Sequence, residues 1–328
     1  MTMPKPEFEN YHLPPEFNGD PLGEALKALL GDQSWGQVRQ LIRGRQVQVN
    51  GNLCLDEQRP VKVGDVIKVW ETPLAKPIQA DQIRLAYLDE HVVVVEKPAG
   101  LTTMRHREER KLSAQRKLLQ PTLDELLPAA VARELGQSSR GSKPTIRAVH
   151  RLDRDTSGLM VFARTAAAEQ VLVQMFKRHA LRRAYIAVAL GRVEQQTIEQ
   201  WLIRDRGDGR RGSTPLGAEF AEAQRAVTHF RPMEFLPGYT ILECRLETGR
   251  THQIRIALAE IGHMLCGEKT YHVHLDRTTT PDPSGAPRQA LHAAELGFAH
   301  PITGAPLLFR MALPRDLATW ILKLRKSK

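Results

Sequence analysis

The sequence predicts an α+β protein in two parts: a small amino-terminal domain of two helices and a hairpin, then a larger domain built on a mixed, largely antiparallel sheet with flanking helices. Three observations predict it. Apolar residues recur at helical spacing between residues 22 and 42, then alternate with polar ones into Asn50-Gly51. A segment without apolar period, 75–82, follows Pro73 and contains Pro77, which marks a linker. Beyond it, β-branched runs and alternating segments outnumber helical patterns, the arrangement of a sheet with a few covering helices.

The chain has 328 residues and a formal net charge of +10, with a pI near 9.7, which favours a polyanionic partner over a small neutral substrate. Cys54, Cys244 and Cys266 lie far apart without metal or redox spacing, which fits a reducing compartment. No apolar run reaches the roughly 18 to 20 residues needed to span a bilayer, and no basic segment with an apolar core opens the sequence, so a cytoplasmic protein without a membrane partner is expected. No long heptad pattern is present, and a monomer is expected.

Residues 1–19 are rich in proline and polar side chains without periodicity and read as a flexible arm. From 20 to 74 comes the small domain. Leu22, Ala25, Leu26, Leu29 and Leu30 mark one helix, and Val38, Leu41 and Ile42 a second that carries Arg39 and Arg43. Gln46 to Gly51 alternates into an Asn-Gly turn, and Val61 to Val69 supplies returning strand material. The run from Ile42 to Gly51, with Val63-Gly64-Asp65-Val66-Ile67 after it, resembles the S4-type RNA-binding domain. That resemblance implies phosphate contacts from Arg39 and Arg43. Gly23 stands where the family usually has an arginine.

The second domain is expected over 83–328. Val92 to Glu96 reads as a buried strand ended by Lys97-Pro98-Ala99-Gly100; Lys97 is either an active-site cation or a group that orders the strand end. About 104–145 is an insertion, with Thr122 placed to cap a helix between basic flanks: Arg105, Arg107, Arg110, Lys111, Arg116 and Lys117 before it, Arg140 and Lys143 after it. These flanks either close over RNA or are a solvated surface.

His150-Arg151-Leu152-Asp153-Arg154-Asp155-Thr156-Ser157-Gly158 precedes the apolar run 159–163, which places its charges on a loop at a sheet edge. A salt-bridged turn would explain an isolated Asp-Arg-Asp. However, His-Arg-Leu-Asp followed by Thr-Ser-Gly-Leu resembles the catalytic motif of the RluA-type pseudouridine synthases, and the resemblance makes Asp153 the catalytic residue. A helix follows over Ala167 to Phe176, then the strand Arg182 to Gly191, whose Tyr185 matches the tyrosine that the family presents into its pocket. Alternation at 227–231 and 240–246 suggests antiparallel strands. Leu246 to Arg255 is the third matching motif: Gly249 allows a turn, Thr251 is placed to cap a helix, and Arg250 and Arg255 cluster at its start as an anion site. The resemblance pairs Arg255 with Asp153 and makes Ile254 an apolar wall.

The resemblance implies isomerisation of uridine to pseudouridine: the glycosidic bond to a ring nitrogen breaks, the base rotates, and the sugar rejoins ring carbon five before that carbon loses its proton. No cofactor or metal is required. A lone aspartate suits the work as nucleophile on, or base toward, the sugar, and an arginine beside it favours its ionised form. Tyr185 would stack on the base or help take the final proton, and Arg151 would fill the gap left by a flipped uridine. Asp155 reads as structural, bonded to nearby backbone or an arginine. The implied substrate is RNA, ribosomal RNA of the large subunit ahead of transfer RNA. Three other classes remain open: a glycoside hydrolase with a second carboxylate, a non-catalytic RNA-binding assembly factor, and a metal enzyme using His150, His252 or His292, which otherwise read as structural.

Overall fold

The computed structural model describes residues 8–105, 109–111, 113–137, 144–216, 219, 221–274 and 278–326. Arg107, Arg140 and Lys143 of the basic flanks lie outside them, as do the side chains of Arg110 and Arg116. The chain forms two compact units, Met1–Ile78 with His106–Pro121, and Gln79–Arg105 with Thr122–Lys328.

In the first unit, helices α1 (Leu22–Leu29) and α2 (Trp35–Arg43) pack on strands β1 (Phe8–His12), β2 (Val47–Val49), β3 (Asn52–Leu53) and β4 (Val66–Trp70); a further helix, α3, spans Ala114–Leu119. The helical spacing is explained by burial: Leu22, Leu26, Val38 and Ile42 are fully enclosed with Val47, Val49 and Ile67. Ser34 starts α2 by accepting the Gln37 N–H at 3.3 Å, while Gln37 Oε1 accepts the Ser34 N–H at 2.7 Å. Asn50 and Gly51 both take positive φ, 52° and 78°, the conformation a two-residue hairpin loop needs. Part of the expected loose arm is ordered. Phe8–His12 pairs antiparallel with β4, and Lys68 lies 3.8 Å from the centre of the Phe8 ring. Polar composition concealed this strand because its partner is distant in sequence.

The second unit is organised on one sheet. Its strands are β5 (Arg84–Leu88), β6 (Val92–Lys97), β7 (Arg147–Ala148), β8 (Ser157–Ala163), β9 (Arg182–Leu190), β10 (Gln196–Ile203), β11 (Gly212–Ser213), β12 (Gln224–Leu236), β13 (Tyr239–Leu246), β14 (Leu291–Ala299) and β15 (Pro306–Arg310). Their order is β11-β10-β12-β13-β9-β14-β8-β6-β5, with β15 on β14 and β7 on β8. The β8–β14 pair runs parallel; the other described pairs are antiparallel. Helices α4 (Leu123–Glu134), α5 (Ala166–Lys177), α6 (Gln253–Glu260) and α7 (Arg315–Lys326) complete the unit. Leu172 of α5 is enclosed with Val92, Val94, Leu159, Val161 and Leu296, and a second core joins α7 to Val188 and Ile241.

Part of the expected insertion is core. Leu123, Leu127, Ala130 and Val131 of α4 are fully buried, and Arg105, expected on a mobile flank, is buried against Glu125 at 2.6 Å. At the linker, Ala80–Gln82 forms a 3-10 turn whose Ala80 carbonyl accepts from Arg133 at 2.9 Å. Gly158 opens β8 where that strand passes β14. Its φ is +132°, and a Cβ there would lie 2.4 Å from the Ala293 carbonyl oxygen, so only glycine fits. Among the described residues, no helix is long and apolar enough to cross a membrane.

Candidate active site

The loop between His150 and Ser157 is held residue by residue. Thr103 donates its hydroxyl to the Leu152 carbonyl at 2.8 Å and accepts the Leu152 N–H at 3.2 Å. Lys97, fully buried at the end of β6, donates to the carbonyls of Arg154 at 2.9 Å and Thr156 at 2.8 Å, and to its neighbour Pro98 at 3.1 Å. Arg288 donates to the Asp155 carbonyl at 3.0 Å, and Gln289 to the Thr156 hydroxyl at 2.6 Å. Lys97 therefore orders the loop. Burial without a touching carboxylate pulls its ammonium down to about 7, against the opposing fields of Asp155 and Asp153.

His150 is structural, as expected. Its ring stacks on Phe176 with centres 4.4 Å apart, and its Nε2 accepts the Val161 N–H at 3.1 Å, continuing the edge of β8. Burial, followed by the Arg183 charge, pushes it to about 3, so it stays neutral and able to accept. His292 is likewise enclosed between the Ser157 hydroxyl and the Met311 carbonyl. Asp155 departs from expectation. Its side chain is exposed, and its backbone carbonyl, rather than its carboxylate, meets an arginine.

So held, the loop presents Asp153 to a cleft lined by Arg151, Tyr185, Arg250, Ile254 and Arg255. Six residues singled out from sequence thus share one site. Arg255 Nη1 donates to Asp153 Oδ2 at 3.1 Å. The same guanidinium forks onto Glu268, Nε to Oε2 and Nη2 to Oε1, both at 2.7 Å, and Nη2 also meets the Thr270 hydroxyl at 3.2 Å. Glu268 is itself fixed by the N–H groups of Thr270 and Tyr271 at 2.7 and 3.3 Å. Burial opposes charge on both partners, but their mutual hydrogen bonds win: the Arg255 pKa is raised and the Glu268 pKa lowered, so both stay ionised. Arg255 is already paired with two carboxylates and is not an open anion site.

Tyr185 sits on β9 between Cys244 of β13 and Ala293 of β14. Burial first, then the Asp153 charge, raises its phenol above 10, with Arg183 opposing, so it stays protonated at neutral pH. His252 Nε2 stands 3.7 Å from Asp153 Oδ1, beyond hydrogen-bond reach, while its Nδ1 and the Tyr271 hydroxyl are 2.6 Å apart. Burial lowers the His252 pKa although Asp153 pulls it up. The start of α6 differs from expectation: His252, at φ 60°, occupies the cap position instead of Thr251, and no side chain caps the helix. Gly249 does not take the left-handed conformation, and a Cβ there would stand 2.9 Å from Arg183 Nη1, the far end of a flexible side chain that can move aside. Sequence reasoning left Glu268 and Tyr271 without roles, and gave His252 a structural one or, in the metal-enzyme alternative, that of a ligand. The signal available for Glu268 was an acid directly after the apolar run Met264-Leu265-Cys266-Gly267.

Arg39 and Arg43 belong to α2 of the first unit, both exposed, and Arg39 reaches Glu57 at 3.3 Å.

Comparison with known proteins adds the following. Residues 91–260 match the family described as RNA pseudouridylate synthase, and residues 24–67 match the S4 domain. The chain is 32% identical over 95% of its length to a ribosomal large subunit pseudouridine synthase D of Nitrosomonas europaea, covering 87% of that protein. It is 33% identical to an uncharacterized RNA pseudouridine synthase of Bacillus subtilis, over 95% of this chain and 96% of that one. Among solved structures, human RNA pseudouridylate synthase domain containing 4 shares the fold at a TM-score of 0.57 and 20% identity, covering 74% of this chain and 92% of that chain.

Proposed function

Because the chain belongs to the RNA pseudouridylate synthase family and is an isomerase that converts uridine to pseudouridine in RNA, we propose that Asp153 is its catalytic residue and ribosomal RNA of the large subunit its substrate. The observation that carries the assignment is the Arg255–Asp153 contact on the cleft wall, with Arg255 locked by Glu268. A carboxylate in that position has a fixed direction and a permanent counter-charge, which suits attack on, or proton removal from, a ribose. Tyr185, held protonated, offers a stacking face to the base rather than a proton acceptor. The proton on ring carbon five then leaves to Asp153, once it is free of the sugar, or to water. Ile254 and Leu291 give the cleft apolar walls for the ring. Arg151, exposed at the rim, is the wedge that replaces the flipped uridine. Arg39 and Arg43 of the S4 domain contribute phosphate contacts. The substrate assignment follows the large-subunit relatives and the basic charge of the chain.

The test maps pseudouridine in cells with and without the gene, by chemical labelling that stops reverse transcription at each modified site. A large-subunit site lost on deletion, restored by the wild type and absent with Asp153→Asn is expected. Restoration by Asp153→Asn would remove Asp153 from the chemistry. A change confined to transfer RNA would move the substrate.

A further inference from the structure

Next to the catalytic cleft lies a second cavity of about 500 Å³, and Arg250 lines both. Arg204, Arg211 and Thr251 also line it. The loop from Arg204 to Arg211 carries four arginines and two aspartates, and they divide by partner. Asp208 meets Arg206 at 2.9 Å and Arg210 at 3.0 Å, and Arg206 is further tied to the Val273 carbonyl at 2.6 Å. Asp205 is occupied in shaping the turn, accepting the N–H groups of Gly207 and Gly209, each at 2.8 Å. That leaves Arg204 and Arg211. Among the described residues neither forms a salt bridge, and Arg250 donates to the Arg225 carbonyl at 3.1 Å with no carboxylate partner. Among the described residues lining it, Glu222 is the one acid. The cavity and the cleft meet at Arg250, which lines both.

Arg204 is exposed and Arg211 half-buried, and arginines without acid partners on a concave wall give it a positive potential that draws a polyanion. We propose that this cavity is a phosphodiester subsite: it takes the RNA backbone beside the target uridine, with Arg204 and Arg211 as phosphate ligands, and so sets how far the substrate must extend past that nucleotide. The proposal rests on the synthase reading for its substrate. It differs from that reading in assigning binding, not chemistry, to these two side chains.

The test uses the full-length protein and an RNA transcript that the wild type modifies. Arg204→Gln, Arg211→Gln and the double variant are compared with Arg325→Gln, which removes one charge from α7, where Arg325 pairs with Glu234. Each cavity variant is expected to raise KM severalfold at unchanged kcat. Each is also expected to flatten the dependence of log KM on log salt by about 0.7 to 0.9, with Arg325→Gln leaving both unchanged. Replacing single linkages next to the target by neutral methylphosphonates should raise KM for the wild type and not raise it further for the double variant. Equal flattening by Arg325→Gln would overturn the subsite, as would loss of kcat at constant KM. Salt-dependent binding to Asp153→Asn protein reads the subsite without turnover. A failure there is therefore distinct from a failure of the catalytic assignment, which is read by turnover in the same variant.

Discussion

Lys97 holds the Asp153 loop through neutral carbonyl oxygens, whereas Arg255 meets it through carboxylates. Both side chains are buried, yet their charges respond in opposite senses. With only carbonyl dipoles in contact and the fields of Asp155 and Asp153 too weak to offset burial, the Lys97 pKa falls to about 7; with Glu268 and Asp153 in contact, Arg255 stays charged. The difference separates two tasks that one loop needs done. Lys97 maintains shape, a job that survives loss of its proton so long as two N–H bonds remain. Arg255 maintains charge, which only a permanent cation can do.

The largest expected effect breaks the charged side. Arg255→Met leaves Glu268 buried without its partner, and about 3 to 5 kcal/mol of stability should be lost, along with at least about a hundredfold in kcat. Adding Glu268→Leu should recover most of the stability in a denaturant titration and none of the activity. Recovery of activity would place the arginine in structure alone. A smaller effect breaks the neutral side. Lys97→Met strands the Arg154 and Thr156 carbonyls and should cost about 2 to 3 kcal/mol.

The same variant sharpens the comparison through pH. The Lys97 pKa is about 7 in the folded protein against an ordinary 10.5, so between these values the unfolded chain binds the extra proton. Stability from this group therefore rises with pH across that window and is lost as pH falls through 7. Urea midpoints of wild type and Lys97→Met should differ in slope by up to about one proton over pH 7 to 10; parallel curves would refute the assignment. The smallest effect lies at the rim. Arg151→Ala should leave stability within about 0.5 kcal/mol and lower turnover about tenfold on structured RNA. Equal losses on a short unstructured RNA would count against its wedge role.

Much of the site was legible because its residues lie in short continuous motifs. Asp153, Tyr185, Arg250, Ile254 and Arg255 could each be placed from their neighbours. What was not legible depends on burial or on distant pairing. Glu268, completely enclosed, carries a single local mark, its place directly after an apolar run, and nothing local shows its pairing with Arg255. Arg105 sits in a run of basic residues and nevertheless turns inward to Glu125. The helix start at Thr251 followed local capping preference, but the chain takes a left-handed turn at His252, between Tyr271 and Asp153. The antiparallel sheet was anticipated from alternation; the single parallel contact of β8 with β14, which fixes Gly158, joins segments more than 130 residues apart and has no local mark.

The strand at Phe8–His12 also bears on how the small domain tolerates trimming. It covers the outer edge of β4 through five register positions, from Phe8 opposite Trp70 to His12 opposite Val66. A shortened chain beginning at Asp20 would keep both helices and the hairpin but leave that edge bare, with its N–H and C=O groups ready to recruit a strand from another molecule. Phe8–His12 thus shields that edge, and self-association on removing the strand would be a defect of the cut rather than a property of the intact protein.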